Sequence, residues 1–546
     1  MIYQLAKTPH LLRVYSNIIE EQERKGFIER IDDNARSPSV HYIPHYPVKK
    51  ESSTTPIRIV YDCSCKQSPS SPSLNDCLNP GPPFLNDLCT ILLRFRQHNF
   101  AFSADIEKAF LHVHLNEVDR DFTRFLWLSN PTDPTSPFVT FHFRVVNAVI
   151  SYHLHQNDSA TSRDLLRNIY VDNVVSGSCS ANFNLRSWAS NSKQLNSVAQ
   201  SHSVVDTKNP VKVLGLWWDT HSDTICASPN PDVTVFTFTA TKREVLKWIS
   251  SIFDPLGLIT PVTITAKLFL QQLWQLELKW DNQLTEELCK TWYKIATEIT
   301  QATVMPFPRQ CTVMPDTATL HIFADASPQA YGAVAYLVQG TQSAILMSKA
   351  RTAPLKQHTL PRLELMAAVL GARIYVFIST SICTTDIFFW SDSQIVLSWL
   401  TSKKTLKPFV SNHVSEIRLV STEWRYCPSA DNPADLLTRG VSFDQFNSST
   451  KWRHSPTWLS SPSKWPTWPH AEILLVQADA DEEVDTPAVD TTKSPSIGLH
   501  YLIDLTTFSK LSKLLPVTAY VYRFIHNTRQ PSSSQQTGPL TVSELT

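Results

Sequence analysis

The chain has 546 residues, with 49 Lys+Arg against 49 Asp+Glu, and so carries no formal net charge. A global basic field is thereby excluded as the means of attracting a polyanion; only a local basic face can do that. Apolar residues make up 42% of the chain, with 15 Trp and 26 Phe, which excludes wholesale disorder, and the length gives a prior of about three to four domains.

Glycine is scarce, 11 residues in all, where about 7% is usual. No G-x-G-x-x-G or G-x-x-x-x-G-K-[ST] loop occurs, so a phosphate cradle of that kind is not expected. The ten cysteines form no C-x-x-C pair, and the N-terminus has no signal-peptide pattern. Reduced thiols in a cytosolic or nuclear chain are expected. No uncharged apolar run of membrane length occurs; the best attempt, 366–382, carries Arg373.

In chain order, residues 16–31 read as a charged helix, and Pro/Ser clusters at 67–73 and 80–83 read as loops. An apolar period over 86–95 precedes a short buried strand, 100–104, that ends on Asp105. Residues 140–146 read as a strand and 148–155 as a helix. The segment IYVDNVVS, 169–176, reads as a hairpin hinged on Asp172-Asn173. Two helices are expected at 241–253 and 262–280, broken at 255–257. An α/β unit follows over 310–440. Beyond about 445 the chain turns Ser/Pro/Trp-rich, with an acidic run at 479–485, and reads as mostly linker.

Within the α/β unit the expected order is β-β-β-α-β-α-β-α. The strands are 319–324, 332–338, 344–347, 386–391 and 422–427; the helices are 360–378, 393–400 and 431–439. Asp325 and Asp392 then fall at strand ends, Glu364 on the long helix and Asp435 on the last one. Asp392 alone would read as a helix cap. Glu364 lies in LELMAA with apolar neighbours on nearly every side, a costly place for a carboxylate unless something positive meets it. Four converging carboxylates would be balanced by two Mg²⁺, a pair that clamps the attacking and leaving oxygens of a phosphodiester.

The segments FADASPQAYGAVAY, LPRLELMAAVLGAR, FFWSDSQIVLSWL and DNPADLLTRG resemble, in order, the ribonuclease H domain of BEL/Pao-type retrotransposon polyproteins. The resemblance implies two-metal cleavage of the RNA strand of an RNA–DNA hybrid, with Asp325, Glu364, Asp392 and Asp435 as catalytic metal ligands. It also implies recognition of hybrid shape and 2′-hydroxyls rather than sequence.

Asp105 at a strand end and Asp172 at a hairpin tip can meet if their strands pair, a geometry suited to phosphoryl transfer by two metals. The segments IRIVYDCSCKQSPSSPSLNDCLNPGPPFLNDL, ADIEKAFLHVHLNEVDRDFTRFLW and NIYVDNVVSG are similar to the fingers and palm of the same family's reverse transcriptase. The likeness continues through VLGLWWDTHSDT and TKREVLKWISSIFDPLGLITPVTITAKLFLQQLW. It implies Asp105 and Asp172 as metal ligands and Phe110 as the aromatic gate beneath the sugar. It also implies Arg58 with Lys49 or Lys50 as the pair gripping the triphosphate.

Two departures stand out. Asn173 occupies the place of a second hairpin aspartate, and Val146 runs into NAVISYHLHQ without the family's Gly-containing loop. No glycine occurs between Gly81 and Gly177. Neither a protease Asp-Thr/Ser-Gly triplet nor an integrase zinc site is found, so an internal fragment of an element is expected.

The expected fold is a multidomain α/β (α+β) chain. Reverse transcriptase fingers/palm span 1–205, a helical thumb/connection 206–305, a ribonuclease H-like mixed sheet with helices 306–445, and a linker or tail 446–546. The expected function is RNA-directed DNA polymerase with ribonuclease H activity, using two Mg²⁺ or Mn²⁺ per site. Its partners would be an RNA template, a DNA primer, RNA–DNA hybrid and deoxynucleoside triphosphates, with no membrane. The expected location is cytoplasmic, with a virus-like particle or the nucleus as alternatives. The rival expectation is a degenerate remnant that only binds nucleic acid or keeps ribonuclease H alone.

Overall fold

The computed structural model describes residues 7–31, 39–49, 57–79, 86–106, 113–130, 135–146, 167–170, 173–176, 185–206, 208–227, 240–311, 317–356, 358–421 and 423–468, with a few isolated positions besides. Most of these lie in one unit, 1–476; 477–546 form a second.

The N-terminal helix runs Pro9–Arg24, not 16–31. Gly26, at φ +71°, turns the chain out of the helix, and Ile28–Ile31 becomes a strand. That strand pairs with Phe138–Phe143, which pairs with Phe125–Leu128, all antiparallel. The helix buries Leu12, Tyr15 and Ile19 against Phe125, Trp127 and Phe141 of this sheet. The ribbon His45–Lys49/Ile57–Tyr61 joins the same core through Ile57 and Ile59.

A four-stranded sheet follows, ordered Leu185–Ser190, Phe102–Ile106, Asn173–Ser176, Ile169–Tyr170. The hairpin expected at 169–176 is present, but Asn173 opens its second strand, opposite Tyr170, and is not part of the hinge. The helix expected at 148–155 lies outside the described residues.

The helices Lys242–Ser251, Thr260–Gln275 and Glu286–Thr303 come next. Thr241 and Glu244 form a capping box at the start of the first, and Thr285 caps the third, each supplying partners for N–H groups the helix leaves open. The break between the first two is forced by Gly257. Its φ is +70°, and a Cβ there would fall 2.2 Å from the Ser348 carbonyl oxygen. The close approach lets Ser348 N donate to Leu256 O at 2.9 Å, stitching the turn to strand Gln342–Thr352.

Five strands form the largest sheet, in the order Gln342–Thr352, Ala330–Gln339, Thr319–Ala326, Ile387–Ser391, Trp424–Tyr426. The first three are antiparallel; the last two run parallel to Thr319–Ala326. Helix Leu360–Ser379 is apolar on two sides. Leu363, Ala367, Leu370, Ile374 and Ile378 join the sheet core, at the 3.6-residue period. Leu365, Ala368, Val369 and Ala372 meet the outer helices Gln394–Thr401 and Pro408–Val420.

Two further features depart from the sequence reading. Helix Pro408–Val420 was not expected; it adds a helix before the last strand, so the order is β-β-β-α-β-α-α-β-α. The tail also begins later than expected. Residues up to Trp465 pack on the sheet: Trp452 is fully buried, and Trp458 and Trp465 lie against Trp390 at centroid distances of 5.0 and 5.2 Å.

One core runs from Ile91 to Leu459, across both the helices and the large sheet. Two buried guanidiniums lock its middle. Arg96 donates to the carbonyls of Pro308, Arg309, Ile345 and Leu346 at 2.7–3.1 Å. Arg309 forks onto Asp223 at 2.6 and 2.8 Å and reaches the carbonyls of Phe95, His98 and Asn99. Arg96→Met should strand four carbonyls and cost about 3–5 kcal/mol. A fall in the thermal unfolding midpoint of the full chain is the readout, and an unchanged midpoint contradicts the assignment.

Candidate active site

The acid quartet is assembled at one end of the large sheet. Asp325 is the penultimate residue of strand Thr319–Ala326 and is only 6% exposed. Thr438 Oγ1 donates to its Oδ2 at 2.6 Å. Glu364 lies one turn into helix Leu360–Ser379 and accepts a hydrogen bond from Ser393 Oγ. Asp392 follows strand Ile387–Ser391 directly, and buried Asn432 donates to its Oδ1 at 3.4 Å. Asp435 opens the short helix Asp435–Arg439 and pairs with Arg439 at 2.6 Å.

Each position follows from local structure. Parallel pairing of Thr319–Ala326 with Ile387–Ser391 puts Ala324 beside Ser391, so Asp325 and Asp392 leave the sheet side by side. Ser393 caps helix Gln394–Thr401 by accepting from Val396 N at 3.3 Å, and the same hydroxyl holds Glu364. Asn432 ties the closing turn to the sheet, donating to Ala324 O at 3.1 Å. Gly332, opposite Asp325, leaves room for the last helix: a Cβ there would stand 3.0 Å from the Leu437 Cβ.

Like charges crowd this site. Asp325 is pushed up to about 7, first by burial and then by the charges of Asp392 and Asp435, with the Thr438 hydroxyl opposing. Glu364 is likewise raised to about 7, by burial first and by Asp392 as well, with Ser393 opposing. Asp392 is therefore the charge the two share.

Four carboxylates offer the hard oxygen donors that Mg²⁺ or Mn²⁺ takes, and the raised carboxyls show a deficit of positive charge. Donor chemistry and charge thus fit a divalent cation. The spacing is not that of a loaded site: among the described residues no group of three or more His, Cys, Asp or Glu could hold a metal ion as it stands. Arg439 engages Asp435 Oδ1.

The second expected site is only partly within view. Asp105 is exposed on strand Phe102–Ile106, opposite Asn173. Arg58 is exposed on strand Ile57–Tyr61, opposite Val48, and Lys49 closes strand His45–Lys49, opposite Ile57. Asp172, Phe110, Lys50 and residues 147–166 lie outside the described residues.

The sequence reading missed Ser393, Asn432 and Thr438. Ser393 reads only as a cap, and Asn432 and Thr438 lie in the DNPADLLTRG segment without an acid's signal.

A mixed five-stranded sheet with a carboxylate cluster at its end defines a ribonuclease H-like region. Residues 241–393 match the family described as Pao retrotransposon-like RNaseH-like domain. The match begins at Thr241, before the sheet, and takes in the three helices packed with it. No curated protein matches the chain. Similar solved structures include the foamy viral protease-reverse transcriptase dRH in complex with double-stranded DNA, at 14% identity and TM-score 0.45 over 76% of this chain and 69% of that one. The foamy viral protease-reverse transcriptase in complex with RNA/DNA hybrid is similar at 15% identity and TM-score 0.45, over 78% and 54%.

The raised carboxyls make a testable prediction for metal-free protein. Folded Asp325 and Glu364 hold protons between about pH 4 and pH 7 that the unfolded chain has lost. Their contribution to stability is full below about pH 4 and is lost as pH rises through about 7. Asp325→Asn cannot ionise, so its unfolding midpoint should gain on the parent's from pH 5 to pH 8 in chelator. His321, buried and held at about 3, titrates in both proteins and cancels in the difference. A constant gap contradicts the assignment.

Proposed function

We propose that the chain is a retrotransposon ribonuclease H that hydrolyses the RNA strand of RNA–DNA hybrids. The observation that carries this reading is the convergence of Asp325, Glu364, Asp392 and Asp435, with Asp325 and Glu364 raised to about 7 by burial first and by neighbouring acids second. Asp325, Glu364, Asp392 and Asp435 would hold two Mg²⁺ or Mn²⁺. Bound ions of this kind lower the pKa of a water and neutralise charge on the attacking and leaving oxygens.

The chain's own residues prepare that arrangement. Thr438 and Ser393 each leave one oxygen of Asp325 and Glu364 with a fixed hydrogen bond, which orients the other oxygen. Asn432 does the same for Asp392 while anchoring the turn to Ala324. Arg439 holds Asp435 at the rim.

A second reading concerns residues 1–205: RNA-directed DNA polymerisation from an RNA template and DNA primer with deoxynucleoside triphosphates. The antiparallel sheet that sets Asp105 opposite Asn173, next in sequence to Asp172, favours it. In this reading Asp105 and Asp172 hold the metals, Phe110 selects the sugar, and Arg58 with Lys49 or Lys50 grips the triphosphate. The direct joining of Val146 to NAVISYHLHQ argues for weak polymerisation, since a misplacement of about 1 Å costs roughly 10²-fold.

On labelled hybrid with Mg²⁺, the full chain should cleave the RNA strand. Asp392→Asn should slow cleavage about 10³-fold, near 4 kcal/mol. Ser393→Ala and Thr438→Val should cost about 10–100-fold, as second-layer partners do. Equal rates for Asp392→Asn and the parent would refute the site. Primer extension by the same preparation should be weak, and robust extension would overturn the argument from the missing loop.

A further inference from the structure

A cavity of about 590 Å³ opens beside helix Leu360–Ser379, between strand Gln342–Thr352 and the start of helix Thr260–Gln275. Lys267, Lys349, Arg351 and Arg373 line it, against two acids, Asp87 and Asp254. In a chain with no net charge, this is the kind of local basic face that attraction of a polyanion requires.

The acids at this cleft are already engaged. Asp87 caps its helix, accepting from Thr90 N at 2.9 Å. Asp254 accepts from Leu258 N and Ile259 N, both at 2.9 Å. Arg373 is paired with Glu416 at 2.6 Å. Lys349 and Arg351, by contrast, are exposed and make no ion pair among the described residues. Lys267 is open on one flank, yet the protein around its ammonium and nearby Lys349 lower its pKa, with Asp254 acting the other way.

Strand geometry makes Lys349 and Arg351 a matched pair. Two residues apart, they point to the same face, about 6.8 Å from each other along the strand. That is the scale of successive phosphates on one nucleic-acid strand. The register also ties them to the acid site: Asp325 lies opposite Gly332, and Gly332 opposite Ala350. Lys349 and Arg351 therefore stand on either side of that row, two strands or about 10 Å away, and project from the opposite face of the sheet to Asp325.

Taking the hybrid as substrate, as proposed above, we infer that this cleft is a second nucleic-acid contact, in which Lys349 and Arg351 hold successive phosphates of the bound backbone. Lys267 adds charge from the opposite wall. The contact carries affinity and places the duplex, and it reads no sequence.

The test is the salt dependence of binding by the full chain. Anisotropy of a fluorescein-labelled RNA–DNA hybrid is measured in chelator, so that nothing is cleaved, from about 50 to about 300 mM KCl. Each lost duplex phosphate contact flattens the log–log slope by roughly 0.9. Lys349→Ala/Arg351→Ala should therefore flatten it by roughly 1.8, while Lys349→Arg/Arg351→Lys should keep the parent's slope. A parental slope in the alanine variant overturns the contact and leaves the ribonuclease H reading standing. Equal flattening in both variants makes the effect structural and also overturns it. A parent that binds no hybrid at all removes the function and this contact together.

Discussion

The structure turns on two buried guanidiniums. Arg96 ends helix Leu88–Phe95, and its donors reach the carbonyls of strands Phe307–Pro308 and Gln342–Thr352. Arg309 closes the other side with its fork on Asp223. A buried cation is tolerated only where its hydrogen bonds are made, and here nearly every acceptor is backbone. Three stretches far apart in sequence are thereby fixed in one relation. The large sheet inherits that relation, and its end carries the acids.

The acid site depends on the opposite kind of imbalance. Burial and the neighbouring acids raise Asp325 and Glu364 to about 7, while the Thr438 and Ser393 hydroxyls orient them. Such a site is poised: a divalent cation would relieve the repulsion, and charge would replace protons. The short helix Asp435–Arg439 brings the fourth carboxylate, paired with Arg439.

Much of this was legible in the sequence. The strands of the large sheet could be read from apolar runs bounded by charge, with Asp325 and Asp392 at strand ends. The three partners that orient the acids could not, because Ser393, Asn432 and Thr438 look like any cap or turn residue until the chain closes on itself. Helix Pro408–Val420 was hidden by the polar run before it, although Val410, Val414 and Ile417 carry a helical period. The N-terminal helix was misplaced by ignoring Gly26, whose φ of +71° is the stop. Trp452, Trp458 and Trp465 lie in a stretch whose composition suggests linker, yet Trp452 is fully buried, and the rings of Trp458 and Trp465 cover the face bearing Phe323 and Trp390.

The central claim is that the four carboxylates form one divalent-cation site with protons to give up. Isothermal titration of Mg²⁺ into the full chain near pH 7, repeated in buffers of different ionisation enthalpy, counts the protons released on binding. The account predicts binding with proton release from the parent, shared between Asp325 and Glu364, and a clear reduction of that release, by about half, in Asp325→Asn. Binding that releases no protons, or the same release from the variant, would contradict it.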